Sequence, residues 1–137
     1  MIRKGRFAIW NNEEYELFSY QRQYYLKTRN QLALSNGFVK SPKDKNIFIK
    51  KVNVKELEDA YEIISYVMIL SYRFAVEGYN DETGTVALVT NNPFVQKKIN
   101  VRPYGKDEFI IEIPYGEVQI IEEHIPILGF EKHLTQY

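Results

Sequence analysis

An internal repeat constrains the fold of this chain more than any other feature of its sequence. Four stretches of the first half return in the same order in the second half, at spacings that drift only from 67 to 61 residues. The matched pairs are residues 2–9 with 69–76, 25–30 with 87–92, 45–52 with 106–113, and 55–57 with 116–118. Since the drift falls where loops are expected, the pattern indicates a duplicated unit of about 65 residues.

Strand signals dominate both copies of the repeat. Aromatic residues make up 15% of the chain, and aromatic side chains pack well on the half-buried surface of a sheet. In the first copy, the pattern predicts strands at residues 6–10, 15–20, 23–29 and 47–52. The first two connections are predicted to be tight turns at Asn11-Asn12 and near Gln21-Arg22. In the second copy, residues 80–84 predict a hairpin turn and residues 108–113 predict a strand.

Residues 54–68 permit two predictions. Asn53 followed by Glu56 is typical of a helix N-terminus. The next apolar residues have helical spacing: Val54, Leu57, Ala60, Tyr61 and Ile64. The counterpart at residues 115–121 contains a glycine and is rich in β-branched residues, which disfavours a helix. Treating both segments as equivalent predicts one helical turn at residues 55–59 and a strand at 60–68. The alternative is an α+β fold with one helix at residues 54–68.

These elements predict an all-β, mostly antiparallel protein. Four strands, one helical turn and a fifth strand in about 65 residues match the order and size of a small SH3-like barrel. We therefore expect two tandem SH3-like barrels from an internal duplication, the first at residues 1–68 and the second at residues 69–137. The apolar tail at residues 125–130 has no counterpart in the first copy, and we expect it to cross back and cover the seam.

Composition favours a cytoplasmic location. The chain has no cysteine, so disulfides and thiolate metal sites are absent, which fits a reducing compartment. The apolar run at residues 7–10 is too short for the hydrophobic region of a signal peptide. The longest nearly uncharged stretch, residues 63–72, is about half of what a membrane crossing needs. We expect no membrane partner.

Charge is unevenly distributed along a chain whose net charge is zero. Residues 1–68 contain 12 Lys/Arg and 8 Asp/Glu, whereas residues 69–137 contain 6 and 10. The contrast is sharper in residues 1–52, with 11 basic and 4 acidic residues. The zero net charge argues against indiscriminate nucleic-acid binding, but the basic first half is suited to an anionic partner.

The sequence contains no pattern typical of catalysis or of a bound cofactor. His124 and His133 have Glu122, Glu123 and Glu131 nearby but lack the short spacing of a metal-ligand motif, so we expect no metal. The seven glycines are scattered rather than clustered in a phosphate loop, and no serine has the flanking glycines of a nucleophile elbow. We expect no cofactor and a protein that is not an enzyme. An enzyme with dispersed catalytic residues is the least favoured alternative.

Aromatic and charged side chains are the best candidates for binding. Tyrosine buries a large area at low entropic cost and keeps a hydroxyl, so it is enriched at interfaces. Trp10, Tyr20 and Tyr24 lie near predicted turns of the first copy and are candidate binding residues. Four acidic residues of the second copy are candidates for contacting a basic cleft: Asp81, Glu82, Asp107 and Glu108.

Segments at both ends of the chain resemble one known class of protein. Residues 5–17 (GRFAIWNNEEYEL), the pair Gly37-Phe38 and residues 120–130 (IIEEHIPILGF) resemble small immunity proteins from polymorphic toxin systems of Gram-positive bacteria. That class tends to have a glycine in the turn after the first strand, where this chain has Asn12. It also tends to have a Tyr-Lys-Gly-like turn where this chain has residues 69–72 (ILSY).

The resemblance implies a role without catalysis, in which the protein binds a cognate toxin domain in the cytoplasm and blocks it. It implies no particular binding residues. The alternative function is a nucleic-acid-binding module, since small barrels commonly present aromatic and basic residues to single strands. Stacking would come from Tyr24 or Tyr25. The charge would come from Arg22, Lys27, Arg29, Lys40, Lys43 and Lys45.

Overall fold

The computed structural model describes residues 2–131, which form an all-β, mostly antiparallel protein. Within this range there are eleven strands: β1 (Gly5–Trp10), β2 (Glu13–Tyr20), β3 (Gln23–Thr28), β4 (Val39–Lys40), β5 (Phe48–Val52), β6 (Asp59–Ile69), β7 (Tyr72–Asn80), β8 (Thr85–Thr90), β9 (Arg102–Pro103), β10 (Phe109–Pro114) and β11 (Ile121–Pro126). The helices of this range are short 3-10 segments at Gln31–Asn36, Val54–Glu56, Pro93–Lys97 and Tyr115–Glu117. No helix in residues 2–131 is both long and apolar enough to cross a membrane.

The ambiguous segment is a 3-10 turn followed by a strand, so the alternative of one helix at residues 54–68 is wrong. The turn begins after Asn53, whose backbone N–H donates to the Glu56 carboxylate at 2.7 Å. The chain becomes extended at Leu57, and β6 follows. Along β6, burial alternates through Ile63, Ser65 and Val67, which is the period of a strand rather than of a helix.

Two compact units make up the described chain. The first unit contains residues 5–63 and 124–131, with strand order β4-β5-β3-β2-β1-β6. Residues 59–63 of β6 pair with β1, so the last strand of the repeat meets the first. The core of the unit is a cluster of buried residues: Ala8, Tyr15, Leu17, Leu26, Ala33, Phe38, Phe48, Val52, Leu57 and Ala60. Ile127 and Leu128 of the apolar tail pack against this cluster.

The second unit contains residues 2–4 and 64–123, with strand order β6-β7-β8-β10-β9. Its core is formed by Val67, Phe74, Val76, Val86, Leu88 and Val95. The expected division at residues 68 and 69 therefore differs from the division in the structure, which falls between Ile63 and Ile64. The difference arises because β6 contributes residues to both units. In addition, residues 2–4 belong to the second unit and residues 124–131 belong to the first.

The order of elements repeats along the chain. In each series, three strands precede a 3-10 segment, a two-residue strand, a longer strand, a 3-10 turn and a final strand. β6 is the final strand of the first series and the opening strand of the second. Three of the four sequence matches join equivalent elements, such as β3 with β8 and β5 with β10. The match of residues 2–9 with 69–76 does not join equivalent elements. It aligns β1 with β7, whereas the order of elements makes β1 equivalent to β6.

Tight turns connect the hairpins of the first unit where the sequence predicted them. Asn11 and Asn12 have φ angles of 53° and 64°, and Gln21 and Arg22 have 49° and 66°. Positive φ at both central residues is the type I′ geometry that matches the twist of the adjoining strands. Asparagine tolerates this conformation better than most residues, so the first turn is favoured by its own sequence.

Leu26 and Leu88 occupy equivalent positions in β3 and β8, and both are fully buried. We predict that L26A and L88A each lower the free energy of unfolding by about 2–5 kcal/mol, because each leaves a cavity in a packed core. Urea unfolding followed by circular dichroism measures the effect. L32A is the control, since Leu32 is 76% exposed, and its unfolding should match the wild type. Equal losses in all three variants would contradict the assignment of the two cores.

Candidate functional site

An apolar groove lies on the outer face of the first unit, opposite its core. Alternation along β2 sends Leu17 to the core and Phe18 to the outer face. The register then places Tyr25 of β3 opposite Phe18 on that outer face. On the next strand, Ile49 lies opposite Lys27 and continues the same surface. Neighbouring strands therefore bring together side chains that are far apart in sequence.

The groove has a volume of 590 Å³ and one wall made by the loop at residues 41–47. Its lining is mainly apolar and includes two lysines: Phe18, Tyr20, Tyr25, Lys27, Ser41, Pro42, Lys43, Asp44, Ile47 and Ile49. The Phe18 and Tyr25 rings stack at 5.2 Å with an interplanar angle of 14°. Tyr20 is 54% exposed, so its ring is available to a partner. We call this surface the outer-face groove.

Backbone hydrogen bonds hold the loop wall of the outer-face groove in place. The Ser41 N–H donates to the Ile47 carbonyl at 2.8 Å, and the Ile47 N–H donates to the Asp44 carbonyl at 3.2 Å. The Asp44 carboxylate accepts from the Asn46 N–H at 2.9 Å. These bonds fix the loop before any partner arrives, so binding requires little ordering of this wall.

The groove combines stacking surfaces with the charged side chains of two lysines and Asp44. The Lys43 ammonium lies 5.7 Å from the centre of the Tyr20 ring, within the range of a cation–π interaction. The Lys27 ammonium lies 3.9 Å from the Glu16 carboxylate, in an exposed ion pair of little energetic weight. Such a site can take an apolar or planar group against the rings and an anionic group beside the lysines.

The structure separates the three aromatic residues proposed from the sequence. Tyr20 lines the outer-face groove, whereas Trp10 and Tyr24 are partly buried and pack against the core of the first unit. Trp10 meets Phe38 edge to face at 6.0 Å, and the Lys50 ammonium lies 5.2 Å from the Trp10 ring. Trp10 is therefore partly engaged in aromatic contacts of the core, and its role as a contact residue stays a prediction.

The four acidic residues proposed from the sequence do not form one patch. Asp81 and Glu82 are exposed in the β7–β8 turn, near the end of β10, where the Tyr115 N–H donates to the Gly84 carbonyl. Asp107 and Glu108 precede the start of β10. The six residues of β10 separate the two pairs by roughly 20 Å. One small contact could engage one pair but not both.

Sequence reasoning missed Phe18 as a site residue, and it named Tyr25 and Lys43 only for the nucleic-acid alternative. Phe18 and Tyr20 are two residues apart in β2, so alternation alone places both rings on one face. That signal was available in the sequence. The contribution of Lys43 was not, because it depends on how the loop at residues 41–47 folds over the strand pairs.

The histidines have separate surroundings. The His124 ring stacks on the Tyr61 ring at 4.6 Å with an interplanar angle of 6°, and the Tyr61 hydroxyl donates to the Glu14 carboxylate. His133 lies outside the described residues. Within residues 2–131, no group of three or more His, Asp or Glu side chains is placed to hold a metal ion.

Residues 2–129 match a family described as uncharacterised conserved protein UCP033725. The chain belongs to this family. The match spans both units and includes every residue that lines the outer-face groove. No curated protein and no solved structure matches the chain significantly.

Tyr15, whose ring contacts Trp10, makes the free energy of unfolding depend on pH. Burial raises the pKa of Tyr15 above 10.0, and the hydrogen bond from its hydroxyl to the Glu13 carboxylate adds to the shift. The unfolded chain therefore loses this proton at lower pH than the folded protein. The stabilisation is complete below pH 10 and is lost as pH rises through the folded pKa.

We predict that Y15F reduces the decline in unfolding free energy between about pH 9.5 and pH 11. Urea unfolding at several pH values measures it. Y20F, at an exposed position, is the control and should keep the wild-type decline. An unchanged decline in Y15F, with normal folding at pH 7, would show that Tyr15 is not the responsible group.

Proposed function

We propose that the chain consists of two tandem SH3-like barrels produced by an internal duplication. Supporting this are the repeated order of elements and the equivalence of β3 with β8 and of β5 with β10. In the first unit, the pairing of Gly5 with Ile63 joins the opening strand to the last. A sheet whose first and last strands pair has fewer exposed edges, which favours a unit of this small size.

We propose further that the protein is a non-catalytic binding protein, an immunity protein that neutralises a cognate toxin domain in the cytoplasm. The observation that carries this proposal is the outer-face groove, whose exposed Tyr20 ring, half-buried Phe18 and Tyr25 rings and ordered loop wall are features of a protein interface. The resemblance of residues 5–17 and 120–130 to immunity proteins supplies the partner class. If the protein blocks the toxin simply by binding to it, this chain needs no catalytic group.

The groove also defines the part of the toxin that binds there. Phe18, Tyr20 and Tyr25 favour an apolar or aromatic side chain, because ring contacts bury area at low entropic cost. Lys43, whose ammonium lies near the Tyr20 ring, favours a carboxylate beside it, whereas Lys27 already pairs with Glu16. The partner segment in this proposal is therefore apolar with an adjacent acidic residue. Since the acidic pairs of the second unit are apart, contact with a nuclease's basic cleft there would use only one of them.

A nucleic-acid-binding module is the second candidate function. The stacked Phe18 and Tyr25 rings with lysines beside them are also a surface on which bases of a single strand can stack. The two functions differ in salt response and partner. A single strand would bind without the toxin, and its affinity would fall steeply with salt because counterions are released.

The test of the proposed function is co-expression with a toxin encoded beside this gene. The wild type should restore growth and form a complex on size exclusion. We predict that Y20A weakens that complex about tenfold or more, because a central interface tyrosine is removed. Y104A is the matched control, since Tyr104 is an exposed tyrosine of the second unit, and it should bind like the wild type.

Two results would contradict the proposal. Failure to restore growth together with no complex would reject the immunity function and leave the nucleic-acid module ahead. Growth rescue with equal affinities for Y20A and Y104A would keep the function but remove the outer-face groove as its contact surface. Circular dichroism of both variants separates a lost contact from a lost fold.

A further inference from the structure

A second depression in the first unit has a different chemistry from the outer-face groove. It has a volume of 410 Å³ and is lined by three cations, two amides and one aromatic residue: Arg29, Lys40, Lys45, Gln31, Asn46 and Phe48. No carboxylate takes part in this lining. We call it the basic cleft.

Strand pairing explains why these cations converge. Phe48 of β5 pairs with Lys40 on one side and with Thr28 on the other, so the three lie in one row across the strands. Arg29 follows Thr28 directly in the chain. Phe48 is only 5% exposed and belongs to the core cluster of the first unit, so it is the buried apolar part of the lining. Lys40 and Arg29 therefore reach the same cleft from strands on either side of β5.

The third cation comes from the loop that also walls the outer-face groove. Lys45 lies between Asp44 and Asn46, which are joined by the hydrogen bond from the Asn46 N–H to the Asp44 carboxylate. That bond engages Asp44 with the loop backbone, and Asp44 lines the groove and not the cleft. The nearest acid in sequence therefore does not take part in the lining of the cleft.

The cations of the cleft lack an ion-pair partner within the described chain. Among residues 2–131, no carboxylate forms an ion pair with Arg29, Lys40 or Lys45. Three neighbouring cations repel one another, and the repulsion is relieved most by a ligand with more than one negative charge. A phosphate monoester carries about −1.5 to −2 charges at pH 7 and offers three acceptor oxygens. Arginine, lysine and amide N–H groups all donate to such oxygens.

We propose that the basic cleft is a binding site for a dianionic phosphate group. The site is independent of the proposed toxin contact, because it uses a different set of side chains. The phosphate can be free or part of a small ester such as a nucleotide. Gln31 and Asn46 orient it by hydrogen bonds, and Phe48 shields one side from water.

Titration of the whole protein with inorganic phosphate tests the proposal, with amide resonances as the readout. We expect saturable shifts at Gln31 and Asn46 that sodium chloride of equal ionic strength does not reproduce. Adenosine 5′-monophosphate should give the same shifts, and adenosine should not. Tighter binding of the nucleotide than of phosphate would identify an ester as the ligand, whereas equal affinities would identify the free anion.

The variants K40Q and K45Q should each weaken phosphate binding by about tenfold, the loss typical of one charge-assisted hydrogen bond. K106Q is the matched control, because Lys106 is equivalent to Lys45 in the repeat but has Asn91 and Pro103 where the first unit has Arg29 and Lys40. It should bind like the wild type. K40R keeps the charge and should retain binding.

Three outcomes would overturn the proposal. The first is the absence of saturable shifts with phosphate and the nucleotide. The second is an equal loss in K106Q, which would indicate a general charge effect. The third is binding of an oligonucleotide without terminal phosphates when inorganic phosphate fails, which would assign the cleft to a diester backbone. Co-expression with the toxin tests the proposed function separately, so the two proposals can fail independently.

Discussion

Strand β6 imposes the constraint on which both units depend, because one strand of eleven residues must serve two cores. Its residues 59–63 pair with β1 in the first unit, and residues 66–69 pair with β7 in the second. Ala60 belongs to the core cluster of the first unit and Val67 to that of the second. Ala60 and Val67 are an odd number of residues apart, so their side chains point to opposite faces of the strand. Each unit is small, so the loss of this strand would remove a large share of either core.

The double role of β6 also explains why its sequence was ambiguous. A strand with one buried face shows strict alternation, but β6 needs apolar residues at both parities. Ala60, Tyr61, Ile63 and Val67 are all buried, and a similar spacing arises on a helix. The counterpart at residues 115–121 favours a strand over a helix for residues 60–68, because both copies of a repeated element are expected to fold in the same way. The double role of β6 also explains why the match of residues 2–9 with 69–76 was misleading. The second series of elements begins with β6, which is also the last strand of the first series.

Local features were predictable from the sequence and long-range ones were not. The turns at Asn11-Asn12 and Gln21-Arg22 and the 3-10 turn after Asn53 depend on neighbouring residues, and their sequence signals identified them. Trp10 was expected at a rim, and its ring contacts with Tyr15 and Phe38 depend partly on long-range folding, since Phe38 is distant in sequence. The separation of Asp81 from Asp107 likewise depends on strand order, which short motifs do not encode.

Comparison of the two units indicates why both proposed sites lie in the first. Strand register makes Tyr25 equivalent to Ala87, since these residues pair with Lys51 and Glu112 at matching positions. By the same register, Lys27 corresponds to Val89, which is only 6% exposed. The second unit therefore has the same strand order without the rings and cations that the first unit presents.

The difference between the two units helps to interpret the excess of basic residues in the first half of the chain. If the basic residues of the first unit only kept it hydrated, they would be expected to spread over its surface and to pair with acids. Instead, Arg29, Lys40 and Lys45 meet in one cleft without an acidic partner among residues 2–131. Lys43, two residues from Lys45, lines the outer-face groove on the same loop. Backbone hydrogen bonds hold that loop, so one ordered segment supplies a lysine to each of the two proposed sites.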